Sequence, residues 1–170
     1  MRRALLGLSI IACLLGCQDK EEIKTEFTGN ETVYALLQAS DYPINGTVTF
    51  RERIDGSTTI DVTLSGTEGN IEHPVHLHMG DIATPSADVA ALLTPVLGST
   101  GRSESILVRL ADEQPVTYRD LIALNACVKI HLSATGENRD IILAGGNIGA
   151  NAARDVSTGR ASAFATCKSE

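Results

Sequence analysis

The stretch GTVTFRERIDGSTTIDVTLS, residues 46–65, restricts the fold more than any other part of the chain. Val48 and Phe50 alternate with Thr47, Thr49 and Arg51, and Ile60, Val62 and Leu64 alternate with Asp61 and Thr63. A period of two places one set of side chains on each face of a strand, one set apolar and one polar. Asp55-Gly56 between the two runs is a strong short-range signal for a hairpin. Further short runs broken by turn residues predict strands at 32–37, 105–110, 127–132 and 141–144. The segment 89–97 is apolar and fits either a helix or a strand. Thr117, with Asp120 three residues later and Leu121-Ile122-Ala123-Leu124 following, predicts one short capped helix near 117–124. Gly145-Gly146-Asn147 reads as a turn or bulge requiring positive φ, and the residues from Gly149 on as a small, polar tail. Several short strands and one helix indicate an all-β fold, a Greek-key sandwich or barrel.

The start of the chain is of another kind. Met1-Arg2-Arg3 is basic, and 4–15 is an almost unbroken apolar run ending in Leu14-Leu15-Gly16-Cys17. The run is shorter than the roughly 20 residues a membrane-spanning helix needs and reads as a secretory signal. It resembles a bacterial lipoprotein signal, which implies cleavage before Cys17 and acylation of that residue. An ordinary signal peptide and a short membrane anchor are the alternatives. The resulting division is a signal at 1–16, a lipidated Cys17 with a charged tether over 17–31, and one domain over 32–170. A lipid on Cys17 would then attach the protein to a membrane of the bacterial cell envelope, as an outer-membrane lipoprotein facing either the periplasm or the cell surface.

Export implies an oxidising compartment. Cys13 leaves with the signal and Cys17 takes the lipid, so Cys127 and Cys167 remain as an even pair. A disulfide between them would close a loop of about 40 residues, worth roughly 4 kcal/mol in the chain-entropy model; two separate thiols are the alternative. Without Arg2 and Arg3, about 12 basic residues face 21 acidic ones. Such a surface argues against nucleic acid as a partner.

Three of the four histidines fall in HPVHLHMGD, residues 73–81. On a strand His76 and His78 share a face, opposite Val75, Leu77 and Met79. In CVKIHLS, residues 127–133, Val128, Ile130 and Leu132 form the apolar face and Lys129 and His131 the other. If both strands bury their apolar faces in one core and lie side by side, His76, His78 and His131 converge outside that core. Three neutral imidazoles suit copper or zinc. Inert surface histidines are the alternative. His73 is a weaker candidate for a fourth ligand, because Pro74 interrupts the strand register.

The segment from Gly46 to Asp81 resembles the first half of a Cu/Zn superoxide dismutase, with a Gly-Thr strand, a hairpin, a Leu-x-Gly turn and an HxH strand ending in Gly-Asp. CVKIHLS resembles the later strand that supplies another copper ligand in that family. The chain is equally similar to the CHRD (chordin-type) domain of bacterial lipoproteins, through HPVHLHMGD, VKIH and ILAGGNIG. These resemblances imply a superoxide dismutase-like β-sandwich, with His76, His78 and His131 as metal ligands, copper ahead of zinc. The dismutase pattern is incomplete. No histidine lies between Gly80 and Cys127, so the histidines of a zinc site and the bridging ligand are missing. The anion-steering arginine has no clear match either, although Arg154 and Arg160 lie in the tail.

No GxSxG occurs and no other catalytic constellation stands out, so no catalytic residue is assigned. The glycines at 145–149 do not open a helix after a strand in the pattern of a phosphate loop. The expected function is a lipid-anchored, non-catalytic domain that binds copper or another divalent metal. A metal-free interaction module and a copper-only dismutase-like enzyme are the alternatives.

Overall fold

The computed structural model of the protein describes residues 25–84 and 87–159. The signal segment, Cys17, Arg160 and Cys167 lie outside the described residues, so the expected lipidation and the disulfide partner of Cys127 do too. Eight strands run in chain order: β1 Phe27–Gln38, β2 Asn45–Arg53, β3 Thr58–Ser65, β4 Glu72–Met79, β5 Val89–Leu97, β6 Arg102–Leu107, β7 Asn125–His131 and β8 Ile142–Ile148. All neighbours pair antiparallel, and the sheet closes on itself in the order β1-β2-β3-β6-β5-β4-β7-β8. The connections from β3 to β4 and from β6 to β7 skip neighbours, which makes the barrel a Greek key. Closure also removes exposed sheet edges.

The hairpin expected around Asp55-Gly56 is present. Val48 faces Val62 and Phe50 faces Ile60, and all four are essentially inaccessible. Val75 and Leu77 of β4, Val128 and Ile130 of β7 and Leu143 of β8 complete the same core. Burying each such side chain contributes on the order of 1.5–3 kcal/mol. The ambiguous segment 89–97 is a strand, with one irregularity. Val75 pairs with Leu93 and His73 with Val96, so Thr94 and Pro95 together oppose Pro74. Neither proline has an N–H for the ladder, and a bulge absorbs the mismatch.

Three expectations are corrected. β1 begins at Phe27, inside the segment read as tether, where Phe27 pairs with Arg53 and lies under the Arg51 guanidinium at 4.0 Å. Gly145, Gly146 and Asn147 form no turn but continue β8. Gly146 is required there for closeness: a Cβ would sit 2.1 Å from the Ala35 carbonyl oxygen of β1. The part of the polar tail from Gly149 to Thr158 is a second helix.

The first helix, α1 Tyr118–Ala123, has the expected capping box between Thr117 and Asp120. The second, α2 Gly149–Thr158, starts at a positive-φ glycine and ends on the left-handed Gly159, an ordinary C-terminal stop. It packs on β7 and β8. Its buried face carries Asn151 and Asp155, one turn apart, while Val156 is 85% exposed. Because its polar side is the buried one, the apolar side of the helix does not mark the face that packs on the sheet. Neither helix is long and apolar enough to cross a membrane.

Candidate metal centre

β4 and β7 are adjacent, and their register decides which imidazoles meet. His76 is directly opposite Lys129, and His78 opposite Cys127. Opposed residues share a face in an antiparallel pair, so His131, two residues beyond Lys129, lies diagonal to His76 on that same outer face. The ring centroids are 4.7 Å apart for His76 and His131, 5.7 Å for His76 and His78, and 6.3 Å for His78 and His131. One ligating nitrogen from each ring lies within 4.8 Å of the other two. Ligands about 2 Å from a shared metal are separated by at most about 4 Å. Small ring rotations therefore close the site on an ion.

The outer face is not an open surface here. Ala87, between β4 and β5, and Arg139 of the 3-10 turn Glu137–Asp140 each place a backbone carbonyl against one imidazole. His78 Nδ1 donates to the Ala87 oxygen at 2.7 Å, and His131 Nδ1 donates to the Arg139 oxygen at 2.8 Å. A carbonyl can only accept, so both rings carry their proton on Nδ1 and their lone pair on Nε2. Both Nε2 atoms are buried and have no hydrogen-bond partner among the described residues. An unsatisfied buried polar atom costs about 1–3 kcal/mol. Coordination would satisfy both atoms at once, and an imidazole anchored through its other nitrogen to a carbonyl is the usual arrangement around a bound metal.

The electrostatics favour neutral rings. Burial pushes the His76 pKa from 6.5 down to about 4, and the neighbouring His131 and His78 add to the effect. Burial also lowers His78 and His131; Lys129 pushes both further down, while the carbonyls of Ala87 and Arg139 pull the other way. The rings are therefore in the state a metal requires without first losing a proton. His76 is the least covered of the three. Its cross-strand neighbour on β5, Leu92, is 73% exposed, so the site opens on that side.

His73 does not join the group. The bulge at Pro74 separates it from the register of the other two, and its Nδ1 lies 3.2 Å from the Leu132 carbonyl. Lys129 was legible in the sequence as the residue sharing His131's face, but its role was not. It is completely buried and reaches the Thr84 carbonyl at 3.5 Å. The two carbonyls that orient His78 and His131 carried no sequence signal, because any residue supplies a carbonyl. Cys127 is buried on the same outer face, opposite His78.

Fold and site together define an eight-stranded antiparallel Greek-key barrel with a largely buried three-histidine group able to hold a metal ion. No protein-family model matches the sequence, and no curated protein matches it.

Proposed function

We propose that this protein is a lipid-anchored, extracytoplasmic metal-binding domain of the CHRD and superoxide dismutase-like kind, holding copper through His76, His78 and His131 without catalysing a reaction. One observation carries the reading: two buried imidazoles are fixed through Nδ1 to carbonyls, with their Nε2 atoms left unsatisfied beside a third imidazole. Copper is preferred because three neutral nitrogen donors suit it and it outranks zinc at such sites in the general affinity order. Bound copper would supply a redox-active, nitrogen-coordinated centre. The chain's own contribution is to hold three rings neutral and two of them, His78 and His131, oriented through backbone carbonyls. A non-catalytic role fits the absence of any histidine between Gly80 and Cys127 that could build a second, bridged metal position. The anchor and the extracytoplasmic location rest on the sequence up to Cys17.

The test is a titration of the protein with Cu(I), Cu(II) and Zn(II) against a chromophoric chelator, alongside His78→Ala and His131→Ala. The expected result is one equivalent of copper bound more tightly than zinc, with each variant weakened by more than about 100-fold, beyond what loss of an orienting group causes. Wild-type affinity no better than micromolar, or unchanged binding in both variants, removes this reading. Superoxide consumption by the copper-loaded protein faster than by free copper would replace the non-catalytic role with the dismutase alternative.

A further inference from the structure

Asn147 stands on β8 in line with the metal centre. It is opposite Cys127 on β7, which is opposite His78 on β4. The three side chains thus share one row across the outer face of three strands, with Asn147 roughly 10 Å from His78 at two strand spacings. Asn147 is only 5% exposed and reaches away from the sheet in two directions. Its Oδ1 accepts the Ile82 backbone N–H at 2.8 Å, and its Nδ2 donates to the Asp155 carboxylate of α2 at 2.7 Å. Both bonds are buried.

Ile82 belongs to the segment whose Ala87 carbonyl orients His78. That segment leaves β4 through Gly80, at φ 89°, and anchors the fully buried Ile82 side chain. The same helix holds its first residue, since Asn151 Nδ2 donates to the Gly80 oxygen at 2.8 Å. Its far end returns to the strand through Met79 N–H to the Asp88 oxygen at 2.9 Å. Asn147 and Asn151 thus tie Ile82 and Gly80 to α2, and the Ala87 carbonyl, five residues after Ile82, meets His78.

We propose that Asn147 is a positioning residue of the metal centre, connecting α2 to the segment that orients His78, so that metal affinity depends on the C-terminal helix. The inference rests on the metal-binding reading above. The site asks for a side chain that accepts from a backbone N–H and donates to a carboxylate. An amide does both at a fixed spacing, whereas an ionised carboxylate only accepts. Asp155 also fixes which way round the amide lies, because a carboxylate can take only its NH₂ side. Residues that orient a ligand's partner commonly alter metal affinity by about 10–100-fold. Asn147 acts one contact farther out, and the lower end of that range is expected.

The test exchanges the two polar groups. Asn147→Asp places two carboxylates together and removes the donor; adding Asp155→Asn returns one donor to the pair with the Ile82 acceptor in place. Copper affinity of the full chain is measured by chelator competition, and the His78 Nδ1–H resonance is followed by NMR in the metal-free protein. Asn147→Asp is expected to weaken copper binding about tenfold and to speed exchange of the His78 Nδ1–H. The double variant is expected to return both to near wild type, a recovery that only coupled sites show. Variants that melt at lower temperature yet keep wild-type affinity and a slowly exchanging His78 proton overturn the proposal, as does a double variant no better than the single. If Asn147→Asp does not fold, Asp155→Ala, which keeps the Ile82 acceptor but frees the amide to turn, is read the same way. If the wild type binds no copper, the metal reading falls, while the His78 resonance still decides whether Asn147 positions that ring.

Discussion

Two parts of the barrel carry the same alternation and use it differently. In β2 and β3 most outward residues reach solvent, Thr59 being buried. Arg51 pairs with Asp61 at 2.7 Å and with Glu104 at 3.6 Å, with the first pair a little over a quarter exposed. In β4, β7 and β8 the outward residues include His78, Lys129, His131 and Asn147, all buried, with His76 partly covered beside them. Residues 80–84, Ala87, the 3-10 turn and α2 lie against them. Polar groups on the first face can exchange their partners for water at little cost. On the second face each needs a protein partner or a ligand. The comparison locates the candidate site, because on the covered face the unanswered buried atoms are two imidazole nitrogens on neighbouring strands, His78 Nε2 and His131 Nε2.

The comparison can be broken at both ends. The largest effect is expected from Lys129→Ala. Truncating a completely buried side chain empties its space and leaves the Thr84 carbonyl without this donor, which should cost about 2 kcal/mol or more in urea unfolding. Lys129→Met, which keeps the volume, should recover part of the loss. A loss under half a kcal/mol for Lys129→Ala would mean that the covered face behaves like the open one.

Next comes pH. The folded protein holds His76 at a pKa of about 4, against 6.5 in the unfolded chain. Between those values the unfolded state binds more protons, so stability rises with pH there. The stability contributed by the neutral imidazole is complete above about pH 6.5 and declines as pH falls toward 4. His78 and His131, also lowered, contribute in the same sense. Unfolding midpoints of the metal-free protein measured from pH 7.5 to 4 should decline more steeply for wild type than for His76→Gln. Parallel curves would remove the burial argument.

The smallest effect is expected from Arg51→Ala. Its ion pairs are partly exposed, and its stacking on Phe27 adds a modest cation–π contribution, so the total should be about 1 kcal/mol or less. The copper affinity should not change, since Arg51 lies on the face away from the histidines. A tenfold change in affinity would show that the two faces communicate.

The sequence by itself determined the strands that alternate clearly, and the face of each. A period of two is local and strong: Val48, Phe50, Ile60, Val62, Val75, Leu77, Val128 and Ile130 all lie inside as the alternation requires. The capping pair Thr117 and Asp120 is equally local, and α1 begins where those residues place it. The outward direction of His76, His78 and His131 was legible for the same reason. Their convergence was not, because it depends on β4 and β7 being neighbours in a particular register, and strands about 50 residues apart carry no local record of that pairing. Tertiary structure alone decided that the outer face of β4, β7 and β8 would be covered. The cover is made of backbone carbonyls, which every residue has, and of α2, whose buried face is polar. Closeness also decided Gly146, since its need for no side chain arises from the Ala35 carbonyl of a distant strand. Alternation supplied three imidazoles on one side of a sheet, and long-range packing turned that side into a place where a metal ion would be the missing partner.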